Sequence, residues 1–280
     1  MFTERELRRG LRAKVFGNKI YTFQTIDSTN NCIKALANVG AAEGVVVLAE
    51  QQTAGRGRLG RTWLSQPEEN LTFSVLLRPE VSTESINLLP LYVAVAVSQA
   101  IENSTGLRAE CKWPNDLLID KKKVAGILIE SSMRQNRLEY VVVGLGLNVN
   151  QMQFTNGLLQ KATSLKLETG KDFDRAKLLR EILFNLETHY TQAVENDFKS
   201  VIPFWLSRTT MINKPIVVSQ GNDIISGVVT GLSLDGGLVL QTNGRSQTMF
   251  AGDVTILADN PEQYMQAGST TQVGAAFQKI

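Results

Sequence analysis

Histidine and cysteine are nearly absent from this chain. Among 280 residues there is one histidine, His189, and two cysteines, Cys32 and Cys111, which lie far apart with no Cys or His neighbours. A Cys/His metal centre needs several such ligands at short spacing, so that class of site is excluded, and the two thiols read as reduced rather than as a disulfide staple. An excess of one charge is lacking too, since 29 basic against 27 acidic residues leave +2. No global field draws the chain to nucleic acid or anionic lipid, and any preference for anions has to be local. The opening MFTERELRRG has no apolar core of a secretory leader, and the most apolar helical run, LLPLYVAVAVSQAI, is too short to cross a bilayer. A soluble, cytoplasmic protein without membrane contact is expected.

What is present suffices for one large domain and a small one, with 43% of the residues hydrophobic. Thr3 to Lys14 predicts one short basic helix, which leaves no room for a DNA-reading helix-turn-helix before the strand at KIYTFQTI. A helix follows from Asp27 or Ser28 with Ile33, Leu36 and Ala37 on one face, stopping near Gly40. EGVVVLAEQQ and NLTFSVLLRP read as buried strands, Ser85 to Asn103 as a central buried helix, and AECKWPNDLLID, KVAGILIESS and LEYVVVGLGLNVN as strands in two hairpins. A helix runs from a cap at Asp174 to about Phe198. The fold class is α+β, a mixed and largely antiparallel sheet covered by helices over residues 1–212. Short strands broken by QGND, LDGG and TNGR predict an SH3-like β-barrel over 213–258, and 259–280 reads as a loose tail.

Three stretches carry chemistry. In EQQTAGRGRLGRTW, glycines at 55, 57 and 60 let backbone approach an anion, while Arg56, Arg58 and Arg61 offer planar forks to phosphate or carboxylate. The stretch is neither a Walker loop nor a dinucleotide fingerprint, and alone it is equally a solvated turn. In KWPNDLL and KKKVAGILIE, Lys112, Asn115 and Asp116 cluster beside Pro114, and Lys123 opens an apolar strand where its ammonium can meet a buried anion. Lys121 and Lys122 read as a solvated hairpin tip. In VVVGLGLNVN, Gly144 and Gly146 leave a slot, or permit tight packing, and Asn148 can offer its amide oxygen. Ser28 and Thr29 at a helix start are more often caps than ligand donors.

The order of DSTN, QTAGRGRLGRTW, KWPNDL, KVAGILIE and GLGLNVN resembles the catalytic domain of biotin protein ligases, from about Tyr21 to the Asp174 helix. The small barrel also stands in the family's place. That resemblance implies a fold like that of class II aminoacyl-tRNA synthetases, with biotin and ATP as substrates and Mg²⁺ beside them. It implies two steps, biotinyl-5′-AMP formation with release of pyrophosphate, then transfer to a lysine of a biotin carboxyl carrier protein with release of AMP. Lys123, Arg56, Arg58, Arg61 and Asp116 would be catalytic, with Arg56 the first choice for direct phosphate and carboxylate contact. Biotin would meet Ser28, Thr29, Asn30, Gln52, Gly55, Arg56, Gly57, Lys123, Gly126 and Gly144. ATP would meet Arg58, Arg61, Trp63, Asn115, Lys123, Asn148 and Ser164, and Mg²⁺ would meet Asn148 and Asp116. The arginine loop would be a mobile lid that orders over the adenylate, and a homodimer could form when ligand is bound. The winged helix-turn-helix of bifunctional family members is not recognised here, so DNA is not an expected partner. Two alternatives are a lipoate-type ligase of the same superfamily and an RNA-binding module built on the arginine–glycine loop. The second needs clustered aromatics, and only Trp63 stands beside the arginines.

Overall fold

The computed structural model describes residues 2–154 and 161–257; the sequence-predicted tail at 259–280 lies outside them. The described residues divide into two compact units, one of residues to Thr209 with Leu234–Gly236, the other of Thr210–Ser233 with residues 237–257.

The first unit is built on seven strands, β1 (Ile20–Ile26), β2 (Val46–Gln52), β3 (Leu71–Leu77), β4 (Glu110–Lys112), β5 (Asp116–Ile119), β6 (Lys122–Arg134) and β7 (Arg137–Leu147). Their order is β1-β2-β3-β7-β6-β5-β4. Only β1 and β2 are parallel, and the helix between them, Thr29–Asn38, supplies the crossover that a parallel pair requires. A short helix α1 (Glu4–Arg8), capped by Thr3, precedes β1, so the crossover helix is α2.

Side chains alternate across this sheet, and each face has its own use. Phe73, Val75, Val143 and Leu145 point to one face and are buried. That side of the fold is closed by α3 (Leu89–Thr105), which lies against β4, β5 and β6 and packs on α5 (Arg175–Val194). Eleven of the 17 residues of α3 are buried, as its apolar sequence demands. The apolar segment Thr83–Thr105 is 23 residues long, enough to cross a membrane, so the length argument from sequence does not hold; its burial in the core accounts for its composition. On the other face, α2 sets Ile33 and Ala37 on Val45, Val47, Leu76 and Val142. It covers only one end of that face, and the remainder is the floor of the site.

Two polar anchors hold the core. Tyr92, fully buried, donates to Leu186 O at 2.6 Å inside a cluster with Tyr190 and Phe198. Arg175, at the start of α5, grips Glu50 of β2 at 2.7 and 3.2 Å with both side chains nearly buried. Removing either member would leave a buried charge uncompensated, at about 3–5 kcal/mol.

α5 ends at Val194, four residues short of the predicted Phe198, because Asp197 and Phe198 adopt positive φ and turn the chain. Two short helices escape sequence periodicity, α4 (Leu165–Thr169) and α6 (Val201–Ser207); the first has five residues, and the second seven with Pro203 in its first turn. The second unit is five antiparallel strands, β8 (Pro215–Gln220), β9 (Asp223–Leu232), β10 (Leu238–Thr242), β11 (Arg245–Met249) and β12 (Asp253–Ile256), in the order β11-β10-β9-β8-β12. Its core is Ile216, Val218, Val229, Leu238, Leu240 and Val254. Asn243 and Gly244, both at positive φ, form the two-residue turn that the TNGR signal predicts.

Candidate active site

The uncovered part of the first sheet has a floor of unusual composition. Thr72 of β3 lies opposite Gly146 of β7, Gly146 opposite Gly126 of β6, and Gly126 opposite Asp116 of β5. Cross-strand partners share a face, so this row presents a hydroxyl, two bare backbones and a carboxylate. The neighbouring row runs Ser74–Gly144–Leu128.

The glycines make room for side chains from above. A Cβ at Gly146 would overlap the Trp63 indole, and one at Gly126 would stand 2.9 Å from Trp63 Cζ3 and 3.1 Å from Lys123 Nζ. A Cβ at Gly144 would overlap Asn30 Oδ1. The slot predicted at Gly144 is therefore filled by the Asn30 amide, and Trp63 lies across the other two glycines. Both sequence readings of GLGLN, slot and tight packing, describe the same geometry.

Three buried side-chain atoms among the described residues have no hydrogen-bond partner: Thr72 Oγ1, Trp63 Nε1 and Asp116 Oδ1. All three belong to this row or lie upon it. Buried polar groups are nearly always paired, because an orphan forfeits its hydration without replacement, so the coincidence marks a surface built for something polar. Lys123 Nζ stands 2.7 Å from Asp116 Oδ1 as an ion pair, with both side chains partly exposed, so the ammonium meets the charge of that oxygen. The ammonium also sits 5.5 Å from the Trp63 ring centre. The lysine backbone is fixed by Lys161 O and Thr163 N, and Thr163 O accepts from Asn148 Nδ2, leaving Asn148 its oxygen for other partners.

The end of the floor beneath α2 is cross-linked by hydrogen bonds. Gln52 Oε1 accepts from Thr29 N at 2.8 Å and Thr29 Oγ1 at 3.1 Å, capping the helix from the adjacent strand. Ser28 occupies the N-cap position but makes no capping bond through its hydroxyl. Ser74 Oγ lies 2.7 Å from Thr29 Oγ1 and 2.5 Å from Asn30 Oδ1. Asn30 Nδ2 donates to Glu130 at 2.7 Å.

The arginine loop is a folded hairpin in this structure. Arg56 and Thr62 form a bridge, Gly57 N donates to Arg61 O, and Trp63 N donates to Gly55 O. The turn is made by Leu59 and Gly60 at φ 54° and 74°, and a Cβ at Gly55 would stand 2.5 Å from Trp63 O. Gly57 has no such constraint, its nearest neighbour being 3.5 Å away. The arginines diverge. Arg58 Nη1 donates to Asn115 Oδ1 at 3.2 Å, beside the cis Trp113–Pro114 peptide, whereas Arg56 Nη2 donates to Asn31 at 2.7 Å and Glu130 at 3.1 Å. The arginine expected to contact phosphate most directly is thus held by a carboxylate. Ser164, expected near ATP, caps α4 by accepting from Leu167 N and donates to Gln151 O.

Glu130, Lys34, Asn31, Ser74 and Thr72 were not read from sequence as site residues. Glu130 had a signal, an acid closing the apolar run KVAGILIE. The others look like ordinary helix-surface and strand residues until the register sets them beside glycine.

This architecture, an anion-ready loop over a glycine floor with a lysine at its edge, belongs to a known class. Residues 22–148 match the biotin/lipoate A/B protein ligase family, and residues 211–256 match the biotin protein ligase C-terminal domain. The chain is 35% identical over 256 residues to the bifunctional ligase/repressor BirA of Bacillus subtilis, covering 91% of this chain and 79% of the relative. It is 32% identical to the biotin–[acetyl-CoA-carboxylase] ligase of Paracoccus denitrificans, covering 81% and 96%. A solved biotin protein ligase from Aquifex aeolicus in complex with biotin and ATP superposes with a TM-score of 0.74 at 31% identity, covering 86% of this chain and 99% of that one. The chain belongs to the biotin protein ligase family, enzymes that couple biotin to a carboxylase carrier protein with ATP.

Proposed function

We propose that the glycine floor and its rim carry out both halves of this ligation. The supporting observation is the row itself, with two buried polar atoms that lack a hydrogen-bond partner, Thr72 Oγ1 and Trp63 Nε1, next to the Lys123–Asp116 ion pair. Biotin's carboxylate and the α-phosphate of ATP are both anions, so their approach requires fixed positive charge. Lys123 supplies it from the floor, and Arg58 and Arg61 supply it from the hairpin. Ser28, Thr29, Asn30 and Gln52 orient the polar head of biotin, whose ring lies along Gly126 and Gly144 under the loop at Gly55 and Gly57. Trp63 lifts from the glycines to cover the ligand or stack on adenine, and Asn115 steadies Arg58. Arg56 acts through the loop stem rather than on phosphate.

Mg²⁺ arrives on the nucleotide, where it would neutralise phosphate charge. Among the described residues no group of three acidic, His or Cys side chains could cage the ion. Asn148 can add one oxygen to a phosphate-bound ion, whereas Asp116 is already paired with Lys123. In the second half-reaction Asp116 accepts the proton of the carrier lysine as its amine attacks the mixed anhydride, forming the amide and releasing AMP. The hairpin shields the anhydride from water meanwhile. The work belongs in the cytoplasm, with ATP and carrier, and a second copy would pair at an edge strand, β1 or β4.

Incubation with biotin, ATP, Mg²⁺ and a carrier domain should add one biotinyl mass to the carrier. Exchange of pyrophosphate into ATP should depend on biotin; equal exchange with lipoate would favour the lipoate-type reading.

A further inference from the structure

We infer that Glu130 is a positioning residue that couples the biotin pocket to the arginine hairpin, by holding Asn30, Lys34 and Arg56 on one carboxylate. The inference rests on the reading of the site given above. Glu130 lies on β6, one residue beyond Ile129 and four beyond the Gly126 floor. Oε1 accepts from Lys34 Nζ at 2.5 Å, and Oε2 accepts from Asn30 Nδ2 at 2.7 Å and Arg56 Nη2 at 3.1 Å. These partners come from α2 and from the hairpin, which the bond from Arg56 Nη2 to Asn31 Oδ1 also joins.

Each contact sets something in the site. The bond to Asn30 turns its amide so that Oδ1 faces Ser74 and fills the space above Gly144. The bond to Arg56, shared with Asn31 Oδ1, fixes the first residue of the hairpin, which carries Arg58 and Arg61 two and five residues on. Lys34 balances the charge. Burial pushes the Glu130 carboxyl upward, but the bonds from Lys34 and Asn30 and the charges of Lys34 and Arg56 more than offset it, so the group stays ionised below its ordinary value of 4.5. With the folded value depressed, this contribution is complete above that pH and is lost as pH falls through the folded value.

A residue that only shapes the pocket and loop stem should change affinity and leave chemistry alone, because it reaches neither Lys123 nor Arg58. The test uses the full chain, with isothermal titration of biotin without ATP, biotin-dependent pyrophosphate exchange across biotin concentrations, and thermal unfolding as a control. Glu130→Ala should raise the biotin Kd and the biotin KM about tenfold or more, with kcat for exchange at saturating biotin within about threefold of wild type. Glu130→Gln keeps an acceptor for Asn30 and loses the charge, so it should fall between. Wild-type affinity in both variants, or a kcat loss above tenfold with unchanged KM, overturns the proposal. If Glu130→Ala does not fold, wild-type affinity in Glu130→Gln alone overturns it. Failure of the wild-type protein itself to bind biotin would instead refute the reading of the site.

Discussion

The two ends of the sheet floor differ in how completely their polar groups are bonded. Under α2, Thr29, Asn30, Gln52, Ser74 and Glu130 form one connected network of hydrogen bonds. Along the row from β3 to β5, the hydroxyl of Thr72 and the indole N–H of Trp63 are buried without a hydrogen-bond partner, and Asp116 meets the Lys123 ammonium. A bonded end keeps its shape without ligand and suits recognition of a small rigid head group. An unbonded end stores polar capacity that is satisfied only when ligand atoms arrive, which suits stabilising a charge that develops during reaction.

The largest test of that contrast is Lys123→Ala. Adenylate formation, read as biotin-dependent pyrophosphate exchange, should fall on the order of a hundredfold or more, while the midpoint of thermal unfolding barely moves. Pyrophosphate release at an unchanged rate would remove the lysine from the reaction. Next is Gly144→Ala at the bonded end. Its methyl would displace Asn30, so biotin affinity by titration should weaken about tenfold with less effect on the chemical step. A Gly144→Ala protein that binds biotin normally would mean that the network adapts. The smallest effect, and the one of opposite sign, is Thr72→Val. Replacing an unpaired buried hydroxyl with a methyl should raise stability by about 1 kcal/mol in denaturant unfolding, while weakening nucleotide or adenylate binding severalfold. Lower stability would show that the hydroxyl has a partner in the free protein.

Much of this arrangement is legible in the sequence, and the failures have physical causes. Strand and helix order follows from β-branched runs and from the amphipathic α2, which local pattern fixes. The glycines at 126, 144 and 146 mark the floor because a Cβ is excluded there, a constraint that a sequence displays directly. The division among the arginines is not legible. Arg56, Arg58 and Arg61 are chemically identical in a string, and only the closed hairpin sends the first toward Glu130 and the second toward Asn115. The network under α2 is hidden for a similar reason, since Asn30 and Ser74 meet through register and not through spacing. The partners of the Ser164 hydroxyl, Leu167 N and Gln151 O, are likewise set by the fold and not by spacing.

Trp63 has one further consequence. The chain holds three tryptophans, and the other two, Trp113 and Trp205, are 2% and 1% exposed in packed surroundings. Only the indole lying across Gly126 and Gly146 must change its environment when the floor is occupied. The protein therefore carries its own optical gauge of occupancy, and intrinsic fluorescence should report ligand arrival with no added label.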